Sequence, residues 1–183
     1  SAGLIPEWGH TRFANEVLLI ERLLAAGQLQ PAYEKAGALL EKAKEAVYQG
    51  ADYDLALATN LLGQVLSGAG QAAPALDLFV EAQHQFDDLG EEGERMGAIC
   101  LARQADNLWM LGRLDEAAEK YDECIKRSES QKDFRQVAAV KNNLATVRRR
   151  QKRYADALMG HKEALAIFEK QNEPKEIATT WHQ

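Results

Sequence analysis

Three small residues recur in a fixed register along this chain, and the repetition is the strongest constraint on its fold. Within each set the gaps are 12 and 7 residues, and the first member advances by 42 and then by 40 residues. Small side chains are needed where two helix axes cross closely, so each set predicts a hairpin of two packed helices. The sets are Gly63, Ala75 and Ala82; Ala105, Ala117 and Cys124; and Ala145, Ala157 and Ala164.

Apolar residues at helical spacing, interrupted by turn residues, predict where these hairpins begin and end. Turns are expected around Gly70, Gly112 and Lys152, and the second helix of the first hairpin is predicted from Pro31 to Tyr48. The first repeat is degenerate, because large residues replace the small ones of the register. The repeats are predicted at approximately 10–50, 53–90, 94–132 and 134–172.

The last residues match the start of another repeat, since 177–183 aligns with 137–143. A partial repeat at 175–183 would lack the partner that buries its apolar face. We therefore expect a single repeat domain over 1–183 that is a fragment of a longer protein. Its exposed terminal hairpins could then support homo-oligomers.

Composition limits the classes of function that fit. The chain has 183 residues and a net charge of -6. This charge disfavours a general nucleic-acid binder, which needs a cationic surface. No apolar run approaches the length of a membrane span, and the start lacks a signal-peptide pattern. We expect a cytoplasmic protein that has no membrane or nucleic-acid partner.

The two cysteines, Cys100 and Cys124, fall inside the repeat pattern. Cys124 stands where the neighbouring repeats have alanine, so we interpret it as a small buried residue rather than a redox group. The four histidines have no metal-ligand spacing, and no phosphate-binding glycine loop or nucleophile motif is found. The sequence therefore predicts no catalytic residues, no metal and no cofactor, and we expect that the chain is not an enzyme.

The repeat pattern resembles the tetratricopeptide repeat (TPR). Small residues recur at its expected positions, and Leu66 and Phe79, then Leu108 and Tyr121, stand where that family places its interlocking large side chains. The period here is 40 to 43 residues, longer than the usual repeat of about 34. It is similar to the long repeats of kinesin light chains and bacterial signalling proteins. The resemblance implies an all-α solenoid of antiparallel hairpins, a right-handed superhelix of about four hairpins plus the start of a fifth.

The resemblance also implies a peptide-binding groove, lined by the first helix of each hairpin. An asparagine row in related proteins holds a peptide main chain, and Asn60, Asn142 and His182 share that position here. Surface solvation or a bond to a neighbouring helix is an open alternative for the asparagines. Trp109 and Met110 are candidates for an apolar anchor, unless Trp109 belongs to the core. The expected groove residues are Leu57, Asn60, Gln64, Asp106, Trp109, Met110, Asn142, Thr146, Arg149, Arg150 and His182.

One strong charge feature accompanies these positions, because no acidic residue occurs from Arg135 to Tyr154 while arginines fill 148–150. A basic run near a helix end is often only a solvated surface. Its functional interpretation is a basic groove end for an acidic peptide, a carboxylate or a phosphate. Both interpretations stay open on the sequence alone.

The sequence therefore predicts a non-enzymatic scaffold whose concave groove binds a protein or peptide. The alternative is a regulatory domain that senses a ligand or peptide and controls an attached effector domain.

Overall fold

The structure is a computed structural model that describes residues 8–171, and every regular element in that range is helical. A short 3-10 turn at Gly90–Gly93 separates the fourth helix from the fifth. The predicted all-α fold is confirmed for this range. The helices are α1 (His10–Ala25), α2 (Leu29–Glu45), α3 (Ala51–Gly68), α4 (Ala72–Asp87), α5 (Glu94–Met110), α6 (Leu114–Ser130), α7 (Phe134–Arg150) and α8 (Tyr154–Gln171).

The chain divides into two compact units, with the boundary between Gly93 and Glu94. In the first unit, α1 packs on α2, α2 on α3 and α3 on α4, and α1 also touches α3. In the second unit, α5 packs on α6, α6 on α7 and α7 on α8. Packing between consecutive helices is what the repeat predicted. A single domain over the whole chain stays a prediction.

The small residues of the repeat are buried where the helices of a hairpin meet. The alanines and Cys124 of the three sets are at most 5% exposed. At Gly63 on α3 the approach is close, because an added Cβ would lie 2.8 Å from the Cε1 atom of Phe79 on α4. At Gly160 on α8 an added Cβ would lie 3.0 Å from that of Ala145 on α7. Small side chains therefore set the spacing at these crossings.

The first hairpin is built differently, as its degenerate register predicted. Ile20 of α1 and Leu39 of α2 stand where small residues would belong, and both are 2% exposed or less. They join Phe13 in the apolar core of the first unit. Large side chains therefore fill this part of the core.

The predicted hairpin turns share one local geometry. Gly70, Gly112 and Lys152 have φ values of 76°, 76° and 62°. At the last of these turns the N–H of Arg153 bonds to the carbonyl of Arg148 at 2.8 Å. This bond satisfies one of the carbonyls that a helix end leaves open. The three predicted turns are confirmed.

Helix α2 differs from its predicted bounds, because it begins at Leu29 and ends at Glu45 rather than running from Pro31 to Tyr48. Pro31 lies in the first turn, where its missing N–H has no intrahelical partner to lose. Ala46 is extended, with φ of -71° and ψ of 140°. Tyr48 therefore lies outside the helix and belongs to the loop that leads into α3.

A buried carboxylate links this loop to α1. Asp54 on α3 is fully buried, and it accepts a 2.6 Å hydrogen bond from the Tyr48 hydroxyl. Its other neighbour is His10, whose Nδ1 lies 2.9 Å away. Burial, and then the hydrogen bond to Asp54, raises the pKa of Tyr48, so its hydroxyl keeps the proton that it donates. Two partners thus offset the cost of burying Asp54.

We expect Gly63→Ala to destabilise the protein, because the new Cβ forces the buried Phe79 ring to move. Overpacking costs about 1–3 kcal/mol, and the better helix propensity of alanine returns about 1 kcal/mol. Urea unfolding should show a net loss of up to about 2 kcal/mol. The matched control is Gly68→Ala on the same helix, where the new Cβ makes an ordinary contact at 3.6 Å with Leu29. Equal stabilisation by both variants would contradict a close crossing at Gly63.

Tyr48→Phe should cost about 1.5–3 kcal/mol, because it removes a hydrogen bond to a buried charged group. The matched control is Tyr33→Phe on α2, which also removes a tyrosine hydroxyl, but from a side chain that is 48% exposed. It should leave the stability unchanged. Thermal unfolding of both variants compares the two sites. A Tyr48 variant as stable as the wild type would show that this hydroxyl does not offset the cost of burying Asp54.

Candidate functional site

A cavity of about 320 Å³ lies in the second unit among α5, α6 and α7, and we call it the α5–α7 cavity. Four of its seven lining residues are among the groove residues expected from the sequence. Tyr121, Asn143 and Val147 were not among them. The lining residues are Asp106, Trp109 and Met110 of α5, Tyr121 of α6, and Asn143, Thr146 and Val147 of α7.

The two main helices contribute to this cavity with the same spacing. The α5 residues stand at positions i, i+3 and i+4, and the α7 residues 143, 146 and 147 repeat that spacing. Residues so spaced share one face of a helix. One turn of α5 and one turn of α7 therefore form two walls, and Tyr121 of α6 contributes to the lining between them.

Asp106 is the one acidic residue among the lining residues, and its carboxylate accepts a hydrogen bond from the Tyr121 hydroxyl. Burial raises the pKa of Asp106, while the bond from Tyr121 and the charge of Arg103 act in the opposite direction. The net shift is upward, so burial outweighs both. The protonated form of Asp106 is therefore favoured more than in a solvent-exposed aspartate.

Trp109 lies one helical turn after Asp106. Its indole Nε1 is shielded from solvent and has no hydrogen-bond partner. The guanidinium carbon of Arg150 stands 5.4 Å from the centre of its ring, which is a cation–π distance. Trp109 is half-buried, so it both lines the cavity and contacts the exposed Arg150 of α7.

The two consecutive asparagines of α7 have different surroundings. Asn142, an expected groove residue, is buried, and its Oδ1 lies 2.6 Å from the Nδ1 of His161 on α8. Burial, and then the charge of Arg149, lowers the pKa of His161, which favours a neutral ring. Asn143 is exposed and lines the α5–α7 cavity. Consecutive residues of a helix point about 100° apart. Position in the repeat alone therefore does not predict which of the two asparagines lines the cavity.

The basic stretch of α7 is largely paired with acids from its neighbouring helices. Lys141 bonds to Glu163 of α8 at 2.7 Å, and Arg148 lies 3.6 Å from Asp122 of α6. Arg153 contacts Asp156 within its own turn. Lys141 and Arg148 therefore connect α7 to α8 and to α6. Arg149 and Arg150 are exposed.

The expected groove residues of the first unit lie on α3. Asn60 is 3% exposed, whereas Leu57 and Gln64 are half-buried. Leu57 packs against the apolar core of that unit. His182 and the partial fifth repeat lie outside the described residues. A role in binding stays a prediction for all of these positions.

Cys124 is buried, as the sequence predicted. Cys100 is buried as well, and neither residue forms a disulfide. Burial raises the pKa of Cys124, which disfavours the reactive thiolate. Between residues 8 and 171, no group of three or more histidine, cysteine or acidic side chains could hold a metal ion. The helices in this range include none that is long and apolar enough to cross a membrane.

Asp106→Asn should raise the melting temperature near neutral pH and have no such effect at about pH 3. The native pKa of Asp106 is raised, so its cost to stability is absent below the unfolded pKa and grows as pH rises through the native pKa. The amide still accepts from Tyr121 but carries no charge. Glu129→Gln, at an exposed acid of α6, is the control and should change little at either pH. An equal gain in melting temperature at both pH values would show that ionised Asp106 is not what lowers the stability.

No family profile matches this sequence, and no curated protein matches it significantly. Several solved structures do. BtubC from P. vanneervenii is 23% identical with a TM-score of 0.71, over 84% of this chain and 63% of its own. The TPR-like repeats of a kinesin light chain-like protein from Podosopora anserina are 15% identical with a TM-score of 0.75, over 96% and 88%. PlcR from Bacillus thuringiensis, solved with the peptide PapR7 and DNA, is 14% identical with a TM-score of 0.65, over 98% and 77%.

This chain thus spans less than two thirds of the length of BtubC. At such identities the likeness concerns the fold. The repeat register, the consecutive helical hairpins and these three neighbours agree, and the fold is that of the TPR-like helical repeats.

Proposed function

We propose that this chain is a non-enzymatic scaffold that binds an extended peptide segment in the α5–α7 cavity and along the adjoining faces of α5 and α7. The observation that carries the proposal is the convergence of Asp106, Trp109, Met110 and Thr146 on one cavity. These residues come from two helices that are about 40 positions apart in the repeat. Packing of the hairpins brings them together.

The chemistry of the lining suits a peptide. Asn143 can both donate to and accept from a main chain. Trp109 and Met110 offer apolar contact area, and Met110 is 47% exposed. Aromatic anchors of this kind dominate many binding surfaces because they bury area at little entropic cost. PlcR, which has the same type of fold, was solved with a bound peptide.

Arg150 gives this site a positive border, because it is exposed and its guanidinium lies over the Trp109 ring. An acidic residue in the peptide would contact this border. The basic stretch thus has two parts in the proposal. Lys141 and Arg148 form ion pairs with neighbouring helices, and Arg150 contacts the ligand.

A peptide selected from a random display library against the purified protein tests this proposal. Its affinity should fall at least about tenfold in Trp109→Ala and in Asn143→Ala, which corresponds to about 1.4 kcal/mol or more. Calorimetric titration measures both. Asn143 is exposed, so its variant is expected to fold even if Trp109→Ala does not.

Two variants on the exposed surface of α8 serve as controls, Met159→Ala and Lys162→Ala. Their affinities should equal that of the wild type. Asn142→Ala is unsuitable, because it removes the bond to His161 and so affects the hairpin itself. Loss of affinity in the α8 variants with none in the cavity variants would reject the proposal.

The second candidate function is a regulatory domain in which peptide binding changes the geometry of the repeats and controls an attached effector. The likeness to PlcR favours it, since that protein was solved with both a peptide and DNA. Small-angle scattering with and without the selected peptide separates the two functions. A scaffold keeps its radius of gyration, whereas a switch changes it.

A further inference from the structure

The half-buried carboxylate of Asp106 indicates the chemistry of one end of the ligand. Asp106 lines the α5–α7 cavity and has one neutral donor, the hydroxyl of Tyr121. Arg103 acts on it through its charge, but burial outweighs that contribution and raises the pKa of Asp106. A ligand cation next to this carboxylate would supply the missing charge and donate hydrogen bonds to it.

Trp109 supplies the complementary feature, because its indole N–H has no acceptor. A buried donor without a partner carries a free-energy penalty. Arg150 covers the ring from α7 and is itself exposed, so its long side chain can move aside. A ligand oxygen that reaches the indole N–H would remove the penalty.

The acceptor and the donor are close together in the chain. Asp106 and Trp109 are three residues apart on α5, and Cβ atoms at this spacing are about 5–6 Å apart. A matching ligand needs a cationic donor and an oxygen acceptor separated by only a few bonds. The first residue of a peptide has both, because its ammonium nitrogen and its carbonyl oxygen are at most about 3.6 Å apart. A lysine side chain separates the two groups much further.

We propose that the α5–α7 cavity binds the free amino end of a peptide, with the α-ammonium group at Asp106 and the first carbonyl oxygen at the indole N–H of Trp109. This inference rests on the proposed peptide-binding function. Met110 and Val147 then contact the first side chain, and Asn143 binds the main chain that follows. No covalent step is involved.

Three small probes test this assignment. Leucine amide has the free ammonium and the nearby carbonyl, N-acetyl-leucine amide lacks the ammonium, and N-acetyl-lysine amide carries its ammonium on the side chain. The readout is the indole N–H peak of Trp109 in a ¹H–¹⁵N correlation spectrum. The chain has three tryptophans, and Trp109→Phe identifies the peak by its loss.

Leucine amide at millimolar concentrations should move this peak in a saturable way, and the two acetylated probes should bind at least about tenfold more weakly. Asp106→Asn should weaken leucine amide by a similar factor, because the amide has no charge. Glu129→Gln, the exposed acid of α6, is the matched control and should bind like the wild type.

Equal binding of leucine amide and its acetylated form would overturn the inference, as would preference for the lysine probe or no shift with any probe. Binding of the display-selected peptide distinguishes failure of this inference from failure of the proposed function. If that peptide still requires Trp109 and Asn143 when its amino end is acetylated, the cavity binds peptides but not their amino ends. If it requires neither residue, the proposed function itself fails.

Discussion

The close packing of two helices at small residues is the constraint on which the rest of this structure depends. At Gly63 the ring of Phe79 occupies the space that a methyl group would need, and Ala145 meets Gly160 in a similar way. Dispersion forces act over short distances, so helices that approach this closely gain contact along their whole length. Each set of small residues in the register therefore marks a place where two helices pack closely.

The candidate site is a consequence of this packing. When α6 is held between α5 and α7, equivalent turns of α5 and α7 come to face the same space, and Tyr121 reaches Asp106 across it. At the candidate site, burial raises the pKa of Asp106, and the indole N–H of Trp109 lacks an acceptor. Binding sites commonly give up stability in this way for interactions that only a ligand completes.

The sequence predicted the features that depend on local pattern. The helices, the turns at Gly70, Gly112 and Lys152, and the burial of Cys124 follow from periodicity and from residue size. The small buried residues and the confirmed turns recur in three repeats. Each occurrence therefore supports the others, and the register is secure to within a residue or two over most of the chain. The family resemblance made Trp109 a candidate groove residue, and Trp109 lines the α5–α7 cavity.

Features that depend on a partner from another helix were out of reach. Asn142 and Asn143 point about 100° apart. Asn142 contacts His161 of α8, and Asn143 lines the cavity. The long stretch without acids suggested an anion site, yet Glu163 and Asp122 pair with Lys141 and Arg148 from other helices. The pattern placed Tyr121 as a packing residue, but its bond to Asp106 depends on the observed geometry of α5 and α6.

We expect a ligand to bind in the α5–α7 cavity. A crystal structure of the protein with a display-selected peptide tests this most directly. The peptide should lie in contact with Trp109 and Asn143. A peptide seated instead on the exposed apolar side chains of α8, such as Leu158 and Met159, with the cavity unchanged, would contradict it.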